Sequence, residues 1–96
     1  MGISNQIEKS KIMRAEIIEY IVELIEQHGK LPAEVNPEEF NYIDTGYIDS
    51  IAIMKFMIEL ERRFEISLTP QDMVRDDFRT VGGLCDIIMK KMEKNR

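Results

Sequence analysis

Gly46-Tyr47-Ile48-Asp49-Ser50-Ile51 closes a long aperiodic segment, and a helical pattern begins there at once, running from Ser50 to Phe64. A short oxygen-bearing side chain at such a junction satisfies N–H groups that the first helical turn leaves without partners. Ser50 is the expected cap, its hydroxyl held where water and a partner molecule can reach it. Taken alone, Asp-Ser ahead of a helix is an ordinary start signal. The case for more rests on what surrounds it.

The helix that follows carries two apolar stripes. At about 100° per residue, Ile53, Phe56, Met57, Leu60 and Phe64 share one arc, which reads as a core face. Ile51, Met54 and Ile58 fall on a separate arc, bordered by Glu61 on one side and by Lys55 and Arg62 on the other. A helix in a small bundle needs one apolar face, so the second stripe requires a reason. Either a short helix or the long loop covers it, or it is an exposed docking stripe on which Met54 adapts to varied partners.

Working outward, Met13, Ile17, Ile18, Ile21, Leu24 and Ile25 recur at helical spacing and predict a first helix over about 6–28, with Gly29 just past its end. Residues 1–9 are polar and expected to fray. From Lys30 to Asp49 nothing is strongly periodic, and Pro32, Pro37 and Gly46 interrupt it. Leu31, Val35, Phe40, Tyr42, Ile43 and Ile48 are apolar enough to pin this loop onto the helices, and Pro37-Glu38-Glu39-Phe40 suits a single helical turn. Thr69 followed by Pro70 predicts a short helix over about 70–74. Thr80 predicts the start of a last helix over about 80–93, with Val81, Leu84, Cys85, Ile88 and Met92 on its apolar stripe. Gly82 and Gly83 weaken that helix but allow close packing. The expected fold is all-α, a four-helix bundle with a short third helix and a long loop between helices 1 and 2.

Composition narrows the function. Ninety-six residues suit one domain, and such a chain leaves little room for a deep cleft. The net charge of −5 argues against nucleic acid as a partner. No apolar run approaches spanning length, so no membrane insertion is expected, and one cysteine excludes an internal disulfide framework. The N-terminus lacks the apolar core of a signal peptide, and Gln6 stands where a myristoylation motif wants Ser or Thr. These features predict a cytoplasmic monomer. His28 reads as a solvated last-turn residue and Cys85 as a small core residue, and neither has partners at metal or triad spacing. Gly82-Gly83 lacks the pattern of a phosphate loop. No self-contained catalytic site is expected.

The order of the remaining pieces is similar to one family. Asp49-Ser50-Ile51 at the start of the second long helix resembles the Asp-Ser-Leu motif of acyl carrier proteins. The run Ile58-Glu59-Leu60-Glu61-Arg62-Arg63-Phe64-Glu65-Ile66 resembles the family's next signature, and Pro70 and Asp77-Phe78-Arg79-Thr80-Val81 follow in the same order. The resemblance covers roughly Leu24 to Met92. It implies a 4′-phosphopantetheine on Ser50, with Asp49 as its motif neighbour. A phosphopantetheinyl transferase would supply the group from coenzyme A with magnesium, the Ser50 hydroxyl attacking the β-phosphate. The implied role is non-catalytic: an acyl or aminoacyl group is carried as a thioester between activating and transferring enzymes, in fatty-acid, polyketide or related biosynthesis. Unpaired N–H groups and the positive dipole end of the helix would favour the phosphodiester.

The sequence departs from the family's usual acidic face. Ala52 and Lys55 stand where acidic residues are usual, and Arg62 and Arg63 replace others further along. The docking face expected from the stripe is Ile51, Met54, Lys55, Ile58 and Arg62. Tyr47-Ile48 ahead of Asp49-Ser50 resembles the apolar pair of D-alanyl and some peptidyl carriers, which predicts a specialised, discrete carrier. The alternative from another class is a helical interaction module without phosphopantetheine, in which Ser50 is only a cap.

Overall fold

The computed structural model describes residues 3–94, with side chains from 13 to 94. Four α-helices follow one another: α1 Ile3–Glu26, α2 Ala52–Phe64, α3 Pro70–Met73 and α4 Val81–Lys94, with 3-10 turns at Pro37–Glu39 and Asp76–Arg79. The architecture is the all-α bundle expected. The bounds differ by a few residues. α1 begins at Ile3 and not near residue 6, because no glycine or proline interrupts the chain between Ile3 and Glu26. It stops at Glu26 rather than His28, since the chain tightens there: His28 N donates to Ile25 O at 2.9 Å and Gly29 N to Glu26 O at 3.4 Å. Gly29, at φ +152, then takes a backbone conformation that other residues rarely adopt.

The core is assembled from one stripe of each long helix. Ile17, Ile21, Leu24 and Ile25 of α1 meet Phe56, Met57 and Leu60 of α2 and Val81, Leu84, Cys85, Ile87 and Ile88 of α4, all buried. α4 is the hub, packing against α1 and both 3-10 turns. Cys85 is fully buried, as its place on an apolar stripe predicts, and burial pushes its thiol up to about 11. Ile53 and Phe64 are only partly buried against this core. The Phe64 ring meets Tyr20 edge-on with centroids 5.6 Å apart, and the Arg63 guanidinium lies over both rings at 5.5 and 5.4 Å. Arg63 is therefore packed on the α1 side of α2, away from the second apolar stripe.

The long loop is held by three buried anchors, Phe40, Tyr42 and Ile48. Asn36 accepts from Glu38 N at 3.1 Å and so caps the Pro37 turn. Asn41 and Thr80 then form an isolated antiparallel bridge, in which Tyr42 N donates to Arg79 O at 3.1 Å and Val81 N to Phe40 O at 3.1 Å. The Tyr42 ring is fully buried, and its hydroxyl donates to the carbonyl of Phe78. A buried tyrosine needs that partner, because a stranded hydroxyl costs about 1–3 kcal/mol.

α3 is short and needs outside support. Thr69 and Asp72 form a reciprocal capping box with Pro70 in the first turn, and Lys91 of α4 reaches Asp72 at 2.8 Å. Burial, the largest single influence on the Asp72 carboxyl, would raise it. Lys91 and Thr69 together outweigh burial and hold it below the usual carboxylate range.

Gly83 permits a close approach. A β-carbon there would stand 2.0 Å from the carbonyl oxygen of Asp77, a backbone atom that cannot swing away. Gly83→Ala is therefore expected to destabilise the fold by about 1–3 kcal/mol, the usual range for overpacking. The helix propensity gained, about 1 kcal/mol at most, does not offset it. Gly82→Ala, whose new carbon would lie 3.0 Å from Glu38 O, should be milder. Urea denaturation of both variants checks the ranking, and a Gly83→Ala midpoint at or above wild type would contradict it.

Candidate functional site: the corner before helix α2

The site starts from the loop anchors. Ile48 is buried, and its N–H donates to Tyr42 O at 3.0 Å. Tyr47 packs edge-on against Phe40 with centroids 4.8 Å apart, and its hydroxyl donates to Lys30 O at 2.8 Å. Gly46, at φ +82, allows the turn between them. These contacts fix the direction in which Asp49 and Ser50 leave the loop. Tyr42 and Tyr47 thus position the corner. Sequence reasoning gave Tyr42 the task of pinning the loop and saw Tyr47 only as half of an apolar pair.

At the corner the roles of the two motif residues differ from the expected ones. Asp49 is the cap. Its Oδ1 accepts from Ile51 N at 3.0 Å and Ala52 N at 2.8 Å, and its carbonyl accepts the first helical bond, from Ile53 N at 2.9 Å. Ser50, the residue after the cap and two before Ala52, is exposed, and its hydroxyl has no hydrogen-bond partner among the described residues. The expectation that Ser50 caps α2 is corrected. Both residue types are good caps, and the one whose side chain reaches the second and third N–H groups takes the place.

The electrostatics agree. The Ala52 N–H first, then that of Ile51, with the nearby charge of His28 adding to them, hold the Asp49 carboxyl below its ordinary value. A carboxylate at a helix N-terminus is also favoured by the dipole. Removing this cap should cost stability. Asp49→Ala is expected to lower the melting midpoint by about 4–8 °C, the effect of losing one ordinary cap in a domain of this size. Ser50→Ala should leave it nearly unchanged. Because folding lowers the Asp49 pKa, its contribution is present above the usual carboxylate value and is lost as pH falls through the folded one. The gap between wild type and Asp49→Ala should therefore close below about pH 4. Thermal melts of the three proteins across pH 3–7 test this, and a larger loss for Ser50→Ala would restore Ser50 as the cap.

The second stripe is uncovered. Ile51 is 84%, Met54 62% and Ile58 46% exposed, and Val74, after α3, is 81% exposed. Neither the long loop nor α3 covers them. Lys55 and Arg62 stand exposed beside them. The other flank of α2 faces the end of α1 across a groove of about 150 Å³ lined by Leu24, Gln27, His28, Ala52, Lys55, Phe56 and Glu59. His28 thus lies beyond the last turn of α1 and close to the Asp49 corner, a placement its position in the sequence did not announce.

A covalent phosphate ester fits this corner. It needs an exposed, unengaged hydroxyl, and Ser50 has one at the positive end of α2. One detail is corrected: the Ile51 and Ala52 N–H groups are already given to Asp49, so they are not free for an anion. The positive end of the α2 dipole remains to favour the negative charge. Among the described residues no group of His, Cys, Asp and Glu could hold a metal ion, and no helix is long and apolar enough to cross a membrane.

Comparison with known proteins carries the same signal. The family profile described as "Phosphopantetheine attachment site" matches residues 19–88. A D-alanyl carrier protein of Lactococcus lactis is 30% identical over 57 residues, 59% of this chain and 72% of that protein. D-alanyl carrier proteins of Streptococcus sanguinis and Streptococcus thermophilus are 30% identical over 74 residues, 77% of this chain and 87% of each. No solved structure matches significantly. The chain belongs to the phosphopantetheine-binding carrier proteins of the acyl carrier protein family, and its cofactor is a covalently attached 4′-phosphopantetheine.

Proposed function

We propose that Ser50 is the attachment residue and that the chain carries an aminoacyl cargo of the D-alanyl type. The observation that carries the reading is the Ser50 hydroxyl, exposed and unengaged beside a helix start that Asp49 already caps. Coenzyme A is the donor: on a phosphopantetheinyl transferase, which takes up the hydroxyl proton, Ser50 Oγ attacks the β-phosphorus, the pyrophosphate bond breaks, adenosine 3′,5′-bisphosphate leaves, and phosphopantetheine stays on Oγ as a phosphodiester. When bound, the group supplies a thiol on which the cargo rides as a thioester. The chain itself provides the attachment oxygen and a docking face, acts as a single monomeric domain in the cytoplasm, and catalyses nothing. Intact mass after incubation with coenzyme A, magnesium and a transferase should rise by one phosphopantetheinyl group. An unchanged mass would leave a helical interaction module as the better account.

The relatives' names support the D-alanyl type over fatty-acid or polyketide synthesis, and so does the charge of the docking face. Ile51, Met54 and Ile58 supply apolar contact, while Lys55 and Arg62 beside them would repel a basic patch on a partner. The activating and transferring enzymes of this carrier therefore present an acidic or neutral docking site. Loading of the phosphopantetheinylated form by a fatty-acid-pathway enzyme should be slow. Replacing Lys55 and Arg62 together by glutamate should raise it about tenfold at low salt, the scale of modest electrostatic steering. Fast loading of wild type, or no response to the double change, would remove charge as the selector.

A further inference from the structure

We propose that Tyr47 is a positioning residue for transfer onto Ser50, holding the attachment corner in the orientation that a transferase meets. This rests on Ser50 being the attachment residue. Ser50 does not set its own direction, since its side chain is exposed and its hydroxyl has no hydrogen-bond partner among the described residues. Its direction is that of the backbone on either side. Downstream, Asp49 binds Ile51 N and Ala52 N, an exposed cap at a helix end, where chains fray. Upstream, the chain passes Gly46 at φ +82, and nothing beyond its chain neighbours lies within 4 Å of where a β-carbon would stand. A glycine in open space is a swivel that packing does not stop. Buried Ile48 fixes one point of the chain after that swivel. A direction needs a second fixed point, and Tyr47 supplies it.

The seat for Tyr47 is built by the end of α1. His28 N donates to Ile25 O, and Glu26 Oε2 accepts from Leu31 N at 3.2 Å, so the backbone past the helix is tied back to it. Gly29 lies against the ring: a β-carbon on it would stand 3.5 Å from Tyr47 Cε2. The Tyr47 hydroxyl donates to Lys30 O at 2.8 Å, and Phe40 closes the seat edge-on at 4.8 Å. One side chain thus joins the end of α1, the loop and the residue three before Ser50. Ile21, Leu24 and Ile25 hold α1 in the core, so the corner takes its direction from the buried part of the bundle. A phenylalanine would keep the ring contact with Phe40. The hydroxyl is what reaches Lys30, so the phenol oxygen fixes the direction. The consequence falls on recognition. A carrier whose corner has turned away does not bind the transferase. Apparent affinity then falls with the fraction of molecules whose corner is in place, while the chemical step in the bound complex is unchanged. Loss of the Tyr47 hydroxyl therefore shows in KM and not in kcat.

The test measures kcat and KM of a phosphopantetheinyl transferase, with coenzyme A and magnesium saturating and the carrier varied. Intact mass first shows whether wild type gains one arm. A wild-type mass that does not rise overturns the assignment of Ser50, and the role of Tyr47 falls with it. With the arm gained, Tyr47→Phe is the probe, since it keeps the ring and loses the hydroxyl. Its KM should rise about two- to tenfold, the range spanned by the net contribution of one hydrogen bond, with kcat unchanged. Ile88→Val, buried in α4, weakens the fold by a comparable amount and takes no part in the seat, so its KM should match wild type. Amide resonances of unmodified Tyr47→Phe should broaden by exchange from Gly46 to Ile51, and those of Ile88→Val should not. A Tyr47→Phe KM equal to that of wild type, or a rise shared by Ile88→Val, would overturn the proposal while leaving Ser50 as the attachment residue. Corner amides as sharp in Tyr47→Phe as in wild type would overturn it too.

Discussion

Ser50→Ala is expected to abolish covalent modification completely while leaving the fold intact. The two halves of that statement come from separate atoms. Asp49 supplies the hydrogen bonds that start α2, through Ile51 and Ala52, so the cap survives loss of the serine oxygen. Ser50 supplies only the hydroxyl. Among the described residues the threonine hydroxyls are engaged: Thr45 donates to Asn41 O, Thr69 pairs with Asp72, and Thr80 accepts from Gly83 N. Ser67 is exposed in the extended segment after α2 and is the natural control. Ser67→Ala should gain mass like wild type when treated with coenzyme A and transferase, and Ser50→Ala should gain none. Circular dichroism should show both folded. An equal mass gain in Ser50→Ala would move the attachment elsewhere in the chain.

The division of labour between Asp49 and Ser50 also shows where sequence reading reaches its limit. The α2 core stripe and the α4 stripe through Val81, Leu84, Cys85 and Ile88 were legible because a helix repeats its buried face every three or four residues. The capping of α3 by Thr69 was legible because the box is local. Choosing between Asp49 and Ser50 as the cap was not, since both residue types satisfy orphan N–H groups about equally well. The loop was legible only as a set of apolar anchors. Its course depends on the bridge between Asn41 and Thr80 and on the Tyr42 hydroxyl reaching Phe78, contacts made across 39 and 36 residues. Arg63 reads in the sequence as another cation of the docking helix. It packs over Tyr20 and Phe64 because Tyr20, far away in the chain, supplies the ring. His28 beside the Asp49 corner is non-local in the same way. The motif and its serine were visible in the sequence, but the groove between the end of α1 and α2 was not.

The largest stability effect should fall on the core side of α2 and spare the other. Leu60 is fully buried among residues of three helices, so Leu60→Ala removes packed methyl groups and leaves a cavity, at a cost of about 2–5 kcal/mol. A domain of this size has a total margin of about 5–15 kcal/mol, so the variant should sit near the edge of folding. Phe64 stands between core and solvent, half-buried against Tyr20 and Arg63, so Phe64→Ala should cost less than Leu60→Ala. Met54→Ser and Ile58→Ser act on side chains already 62% and 46% exposed, where little surface leaves water on folding. They should stay within about 1 kcal/mol of wild type, most of the cost being the weaker helix propensity of serine. Urea denaturation with a shared m-value ranks the four variants. Were Met54→Ser or Ile58→Ser to lose as much as Leu60→Ala, and more so at higher protein concentration, a second copy of the chain would be covering the stripe. That surface would then serve self-association and not be free for partner enzymes.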